Sequence, residues 1–364
     1  MKFAIIPWNE KFEKDRIFGN EDAQITVDNR EKPFQCMKKE FERRGDFIHT
    51  IDMYDNIDDV DWFLFFERND LWLRKIAQHG MEKQVIYCNA EPPVVNPKHD
   101  SKNIKKLLRF YPYIMTWNID LLDGKRFFKR NIPYYFEIQF GDIPFEERKL
   151  LTNISGNKQS LHPDELYSER KKIIEELEKN YIDDFEFYGT GWDESEHPGY
   201  KGKAKSKIEV YHKYRFAIAF ENMKNIKGYV TEKILDCFVA GIVPIYKGAI
   251  DITDYIPKEC FILYDDFQNP KEMMEYLKNV KLEEYNKYMY AIENFLKSEK
   301  IHIFDGDEYA RYIYNVVREG KLNDFKIGKR DMLYLDFCII MKQLKEISLK
   351  VKKKLKCNIF FLHS

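Results

Sequence analysis

The chain has 364 residues, 44% of them hydrophobic and 16% aromatic, with a formal net charge of -1. That length favours two domains over one core, and the near-neutral charge argues against nucleic acid as a partner. No stretch approaches the ~20 apolar residues of a membrane span, and the six cysteines, Cys36, Cys88, Cys237, Cys260, Cys338 and Cys357, form no C-x-x-C pair. Mostly set in apolar runs, they read as reduced, buried thiols of a cytoplasmic protein.

The start, MKFAIIPWNEKFEKD, becomes charged too soon for a signal peptide. Lys2–Ile6 reads as a strand stopped by Pro7. Pro33–Arg44 has helical spacing, and strands are expected at Phe47–Ile51, Asp61–Phe66, Gln84–Cys88 and Tyr113–Trp117. Helical segments at Leu71–Ala77 and Lys102–Phe110 fall between them, the alternation of a parallel, helix-flanked sheet. Ile132–Asp142 is irregular, and a boundary is drawn near Gly141–Lys149. A second alternation follows, with strands at Leu150–Ile154 and Phe185–Tyr188 around a helix over Ser168–Lys179. After a strand–helix–strand unit at Arg215–Gly248, a strand at Ile262–Tyr264 and helices at Pro270–Leu277 and Leu282–Ser298 complete it. The chain divides as 1–145, 146–325 and a tail at 326–364, giving two Rossmann-like domains that face each other. In the tail, Leu333–Leu355 has apolar residues at helical spacing and a basic cluster at Lys350, Lys352, Lys353, Lys354 and Lys356, ahead of the apolar Asn358–Leu362. It reads either as a helix on an anionic membrane face or as one packed on protein.

The unit at Arg215–Gly248 carries the clearest local signals. Phe216–Phe220 and Ile242–Tyr246 are buried strands, Thr231 caps a helix, and Gly241 suits the left-handed position that ends it. Asn222, Tyr229, Glu232 and Lys233 therefore gather where a strand hands over to a helix N-terminus. In open α/β sheets ligands bind there, and the helix end favours an anion.

Three stretches in order carry a family resemblance. FEN…GYVTEKILDCFVAGIVPIYKG resembles the signature of the α1,3/4-fucosyltransferases, YCNAEPPVVNP resembles their N-terminal motif, and SERKKIIEELEKNYIDDFEFYGTG resembles the segment in which an arginine opens a helix. FENM stands where FENS is commoner, the loop between Asn222 and Tyr229 is about one residue longer than is usual, and IYKG has a lysine where an apolar residue is usual. The resemblance implies a GT-B fold, GDP-fucose bound by the C-terminal domain, inversion at the anomeric carbon and no required metal or other cofactor.

The residues suit that chemistry. A departing diphosphate needs fixed positive charge, which Lys233 in the first helical turn and Arg170 can supply. Glu232 can accept from ribose hydroxyls, and Asn222 and Tyr229 offer neutral hydrogen bonds to phosphate or sugar. Alone, Glu232 and Lys233 read as a capping pair and a surface charge, Arg170 as an ordinary helix-surface residue, and Glu91 as a loop glutamate. The resemblance turns Glu91 into the general base, presented by Pro92-Pro93 from the opposite domain. The acidic groups Asp58-Asp59-Val60-Asp61, Asp265-Asp266 and Asp305-Gly306-Asp307 read as turns and caps, not metal ligands.

The function expected is transfer of L-fucose from GDP-fucose to a hydroxyl of a GlcNAc- or glucose-containing glycan, serving surface polysaccharide or lipopolysaccharide synthesis. The enzyme would be cytoplasmic, at most peripheral at the inner face of the membrane. Alternatives are another GDP-sugar as donor, or an inactive glycan- or nucleotide-binding relative.

Overall fold

A computed structural model describes residues 1–19, 31–322 and 324–361, with side chains described as far as Lys350. The side chains at Lys352–Lys356 and residue Leu362, which belong to the expected basic tail, lie outside the described residues.

Short β-branched and aromatic runs form the first sheet: β1 (Lys2–Ile6), β2 (Phe47–Thr50), β3 (Trp62–Phe65), β4 (Val85–Asn89), β5 (Tyr113–Thr116) and β6 (Phe127–Lys129). They are ordered β2-β1-β3-β4-β5-β6 with every pair parallel. Parallel neighbours require crossovers, supplied here by α1 (Lys32–Arg43), α2 (Asp70–Gln78), α3 (Ser101–Leu107) and 3-10 turns. The strand β6 lies just before the stretch read as irregular.

The second sheet is β7 (Lys149–Ile154), β8 (Phe185–Tyr188), β9 (Tyr214–Phe220), β10 (Val243–Lys247) and β11 (Ile262–Leu263). Its order is β11-β10-β9-β7-β8, again all parallel. Around it stand α4 (Tyr167–Asn180), α5 (Lys207–Tyr211), α6 (Glu232–Ala240), α7 (Ile252–Tyr255), α8 (Pro270–Asn279) and α9 (Leu282–Leu296). The central strands of both sheets are buried on both faces, as helix-covered parallel sheets require.

After α9 the chain crosses back. α10 (Gly306–Glu319), grouped by sequence with the second domain, sends Tyr309, Ala310, Ile313 and Val316 into the core of the first. α11 (Lys329–Phe361) begins by burying Leu335 against the same domain, with Arg74 paired to Asp336 at 2.7 Å. Farther along, Phe337, Ile340, Leu344 and Ile347 are exposed. Among the described residues no helix is long and apolar enough to cross a membrane.

Candidate active site

The strand–helix handover after β9 is built as its sequence suggests. Thr231 caps α6 by accepting from the Lys233 amide, and Gly241 ends the helix at φ 71. Behind the cap sits Glu221, fully buried, whose carboxylate accepts from the Thr231 amide at 2.9 Å and the Thr231 hydroxyl at 2.7 Å. Burial raises its pKa against the attraction of Lys233, and Glu232 adds to the rise. The sequence reading quoted Glu221 inside its motif but gave it no role; the signal was a charged residue directly after a buried strand.

Lys233 projects from the first turn of α6 with its Nζ 3.3 Å from Glu221, 3.5 Å from Glu232 and 3.2 Å from the Thr231 hydroxyl. Burial works to lower the ammonium's pKa, but the two carboxylates offset this and the net shift is upward. The lysine is thus a fixed cation held beside the helix amides. Arg170 is not a helix-surface residue. It is 6% exposed, on the inner face of α4, where its Nη2 donates to the Glu221 carbonyl at 3.1 Å. Its Nε is buried without a hydrogen-bond partner, and no carboxylate pairs with it among the described residues. Asn222 donates to the Tyr229 hydroxyl at 3.3 Å, and the buried Tyr229 ring meets Trp117 of the other domain at 4.8 Å. Arg170, Asn222, Tyr229, Glu232 and Lys233 therefore share one locality.

The long loop is pinned rather than loose. Lys224 reaches Glu169 at 3.1 Å, Asn225 adopts φ 57, Lys227 pairs with Asp120 across the interface at 3.1 Å, and the Gly228 amide donates to Asp251. Gly228 takes φ +78 where a Cβ would stand 2.2 Å from the Trp117 carbonyl oxygen, so only glycine allows this approach of the domains. The lysine of IYKG, Lys247, bridges Glu169 at 2.6 Å and Asp265 at 2.7 Å.

Glu91 follows β4 and opens on the cleft between the domains. The surrounding walls desolvate its carboxyl and raise its pKa, with Glu232 adding to the rise and Lys233 opposing it. Those two side chains belong to the other domain, so the carboxylate and the α6 terminus are electrostatic neighbours across the interface. Its backbone is clamped on both sides. Trp117 donates its indole N–H to the Ala90 carbonyl at 3.0 Å, and His99 donates from Nδ1 to the Glu91 carbonyl at 2.7 Å. Burial keeps His99 neutral, which leaves Nε2 to accept from the Tyr87 hydroxyl at 2.8 Å. The sequence reading missed this histidine because a lone His eight residues beyond a glutamate carries no pattern.

A cavity of about 600 Å³ lies between the domains, with Glu91 and Glu232 in its wall. Arg170, Asn222, Tyr229 and Lys233 are not among its lining residues. Among the described residues no group of three or more His, Cys, Asp or Glu is arranged to hold a metal ion. Of the acidic groups read as turns, Asp266 pairs with Lys258 and Asp305 with His302.

Residues 148–313 match the model of the glycosyltransferase family 10 (fucosyltransferase) C-terminal region. This stretch, somewhat less than half of the chain, is thus similar to the C-terminal region of the family 10 glycosyltransferases. The chain is 33% identical over 134 residues to the alpha-(1,3)-fucosyltransferase FucT of Helicobacter pylori, covering 36% of the chain and 26% of the relative. It is 30% identical over 173 residues to the 4-galactosyl-N-acetylglucosaminide 3-alpha-L-fucosyltransferase 9 of Mus musculus, covering 47% and 42%. The chain thus spans between a quarter and a half of the length of these two relatives. Over the whole chain, the crystal structure of an alpha1,3-fucosyltransferase with GDP-fucose superposes with a TM-score of 0.54 at 16% identity, covering 90% of this chain and 92% of the other. The two parallel-sheet domains thus form the GT-B fold.

Proposed function

We propose that the protein is an inverting fucosyltransferase that moves L-fucose from GDP-fucose to a hydroxyl of a GlcNAc- or glucose-containing glycan. The observation that carries this reading is the opposition of Glu91 to the α6 terminus across the cleft, with two cations, the half-buried Lys233 and the buried Arg170, on the donor side. The unit up to about residue 145, with α10 packed on it, is the acceptor side, and the second sheet with its helices up to α9 holds the donor site.

In the reaction the acceptor oxygen attacks the anomeric carbon opposite the diphosphate. The bond from that carbon to the phosphate oxygen breaks, GDP departs, and Glu91 takes the acceptor's proton. Charge grows on the leaving oxygen, and Lys233 with the free amides of α6 is fixed where it can stabilise that charge. Arg170 adds a second positive charge, and through its guanidinium a charge-assisted hydrogen bond, to the same group. Asn222 and Tyr229 hold sugar or phosphate oxygens, and Glu232 accepts from the ribose. A desolvated carboxylate is the stronger base, so the raised pKa of Glu91 suits proton abstraction near neutral pH. With Lys233 and Arg170 balancing the diphosphate, the transfer needs no metal or other cofactor.

The test is GDP release from GDP-fucose in the presence of lactose or N-acetyllactosamine. Turnover that survives Glu91→Gln unchanged would remove the base. The exposed apolar stripe of α11, interleaved with Lys342, Lys345 and Lys350, supports peripheral attachment at the inner face of an anionic membrane, where surface polysaccharide or lipopolysaccharide is assembled. Cosedimentation with anionic but not neutral vesicles is the expected result, and pelleting with neither contradicts it.

A further inference from the structure

Both cations of the donor side are attached to one residue that lies out of the donor's reach. Glu221 stands directly after β9 and is fully buried. Its carboxylate accepts from the Thr231 amide at 2.9 Å and the Thr231 hydroxyl at 2.7 Å, and lies 3.3 Å from the Lys233 ammonium. Its carbonyl accepts from Arg170 Nη2 at 3.1 Å, while its amide donates to the Lys247 carbonyl at 2.9 Å. The end of β10 leaves the side chain little room to turn. A Cβ added at Gly248 would stand 2.5 Å from the Glu221 Cγ and 2.7 Å from the Tyr246 hydroxyl. Lys233 and the two Thr231 donors favour the charged carboxylate, against burial and Glu232, which favour the neutral form. The other carboxylate near Lys233, that of Glu232 at 3.5 Å, is in the cavity wall, where the reading above assigns it to the ribose.

We propose that Glu221 is the positioning residue of the transfer: its carboxylate fixes the Lys233 ammonium, and its carbonyl the Arg170 guanidinium, at the departing diphosphate. The proposal rests on the transferase reading and adds to it a residue that no substrate atom touches. A carboxylate beside a diphosphate site repels the anion in the ground state, so it contributes nothing favourable to affinity. Its contribution is to hold a cation where charge develops as the bond to the leaving oxygen breaks, which raises the rate and not the binding. Removing this charge should therefore move the two quantities apart.

The experiment compares GDP titration with turnover from GDP-fucose in the full chain. Glu221→Gln is isosteric, and its amide oxygen still accepts from the Thr231 amide, so the helix cap is kept. Its GDP affinity should equal the wild type or exceed it, while kcat falls by about 10- to 100-fold. Glu221→Asp keeps the charge but draws it back from Lys233 by one methylene. It should also lower kcat, without tightening GDP, and it carries the test if the glutamine variant does not fold. In a double-mutant cycle the kcat loss of Glu221→Gln should vanish on a Lys233→Met background and persist on an Arg170→Met background, because the carbonyl that holds Arg170 is unchanged. Three results would each overturn the positioning role alone: wild-type kcat in either variant, a kcat loss matched by an equal loss of GDP affinity and a lower melting temperature, or a kcat loss as large without Lys233 as with it. A wild-type chain that neither binds GDP nor transfers fucose would overturn the transferase reading, and the positioning role with it.

Discussion

Replacing Arg170 by methionine should separate binding from folding, because the two are expected to move in opposite directions. The guanidinium is 6% exposed, has one hydrogen bond to the Glu221 carbonyl at 3.1 Å and leaves Nε unpartnered. Keeping this cation out of water costs several kcal/mol, offset only in part by the Tyr167 ring at 5.6 Å and the pull of Glu221 and Glu165, and apolar replacements of buried ionic groups are often neutral or stabilising by about 1–4 kcal/mol. The lost hydrogen bond returns about 1 kcal/mol of that gain, so the ligand-free variant should melt at or above the wild-type temperature. Toward GDP the variant loses a charge-assisted contact worth roughly 1.5–3 kcal/mol, which at 1.4 kcal/mol per decade weakens binding by about 10- to 150-fold. Calorimetry of the free variant and titration with GDP measure both quantities. If Arg170→Met melts several degrees lower and binds GDP normally, the arginine is a structural residue and its assignment to the donor site is wrong.

Other substitutions address the remaining parts of the site. Glu91→Gln should lower kcat by about 10²- to 10⁴-fold with GDP affinity intact, measured as GDP release with saturating acceptor. His99→Phe, which removes the donor to the Glu91 carbonyl, should lower kcat while leaving the KM for GDP-fucose unchanged; a rise in donor KM alone would contradict its positioning role. The base must be ionised to act, so kcat/KM should fall as pH drops through the Glu91 pKa. That limb should lie above 4.5, the ordinary value for a glutamate, and should vanish in Glu91→Gln. Gly228→Ala should lower the melting temperature, by about 1–3 kcal/mol of stability, because the new methyl meets the Trp117 carbonyl oxygen and the backbone is held at φ +78.

Much of this arrangement is legible in the chain, for reasons that differ from residue to residue. The β9–α6–β10 unit is readable because each local preference agrees: aromatic and β-branched runs for the strands, Thr231 at the cap, Gly241 at the left-handed stop. The helix α10 shows apolar spacing at Tyr309, Ala310, Ile313 and Val316, but chain order alone gives no sign that it returns to the first domain. Burial of Arg170 was not legible, since an arginine near a helix start has the same local signature exposed or buried. The roles of His99 and Glu221 depend on contacts made across turns and between strands, 8 residues apart for His99 and Glu91 and 10 for Glu221 and Thr231. No periodicity encodes such pairs. The lengthened loop Met223–Gly228 was visible as an anomaly, whereas its anchoring to Asp120 and Asp251 becomes apparent only when the domains are assembled.

The central claim is transfer of fucose with inversion, and the product itself tests it most directly. The purified chain, incubated with GDP-β-L-fucose and a neutral acceptor such as N-acetyllactosamine, should give an acceptor heavier by one deoxyhexose, with the α-anomeric coupling in its proton NMR spectrum. Free fucose with no fucosylated acceptor, or a β-linked product, would contradict the account.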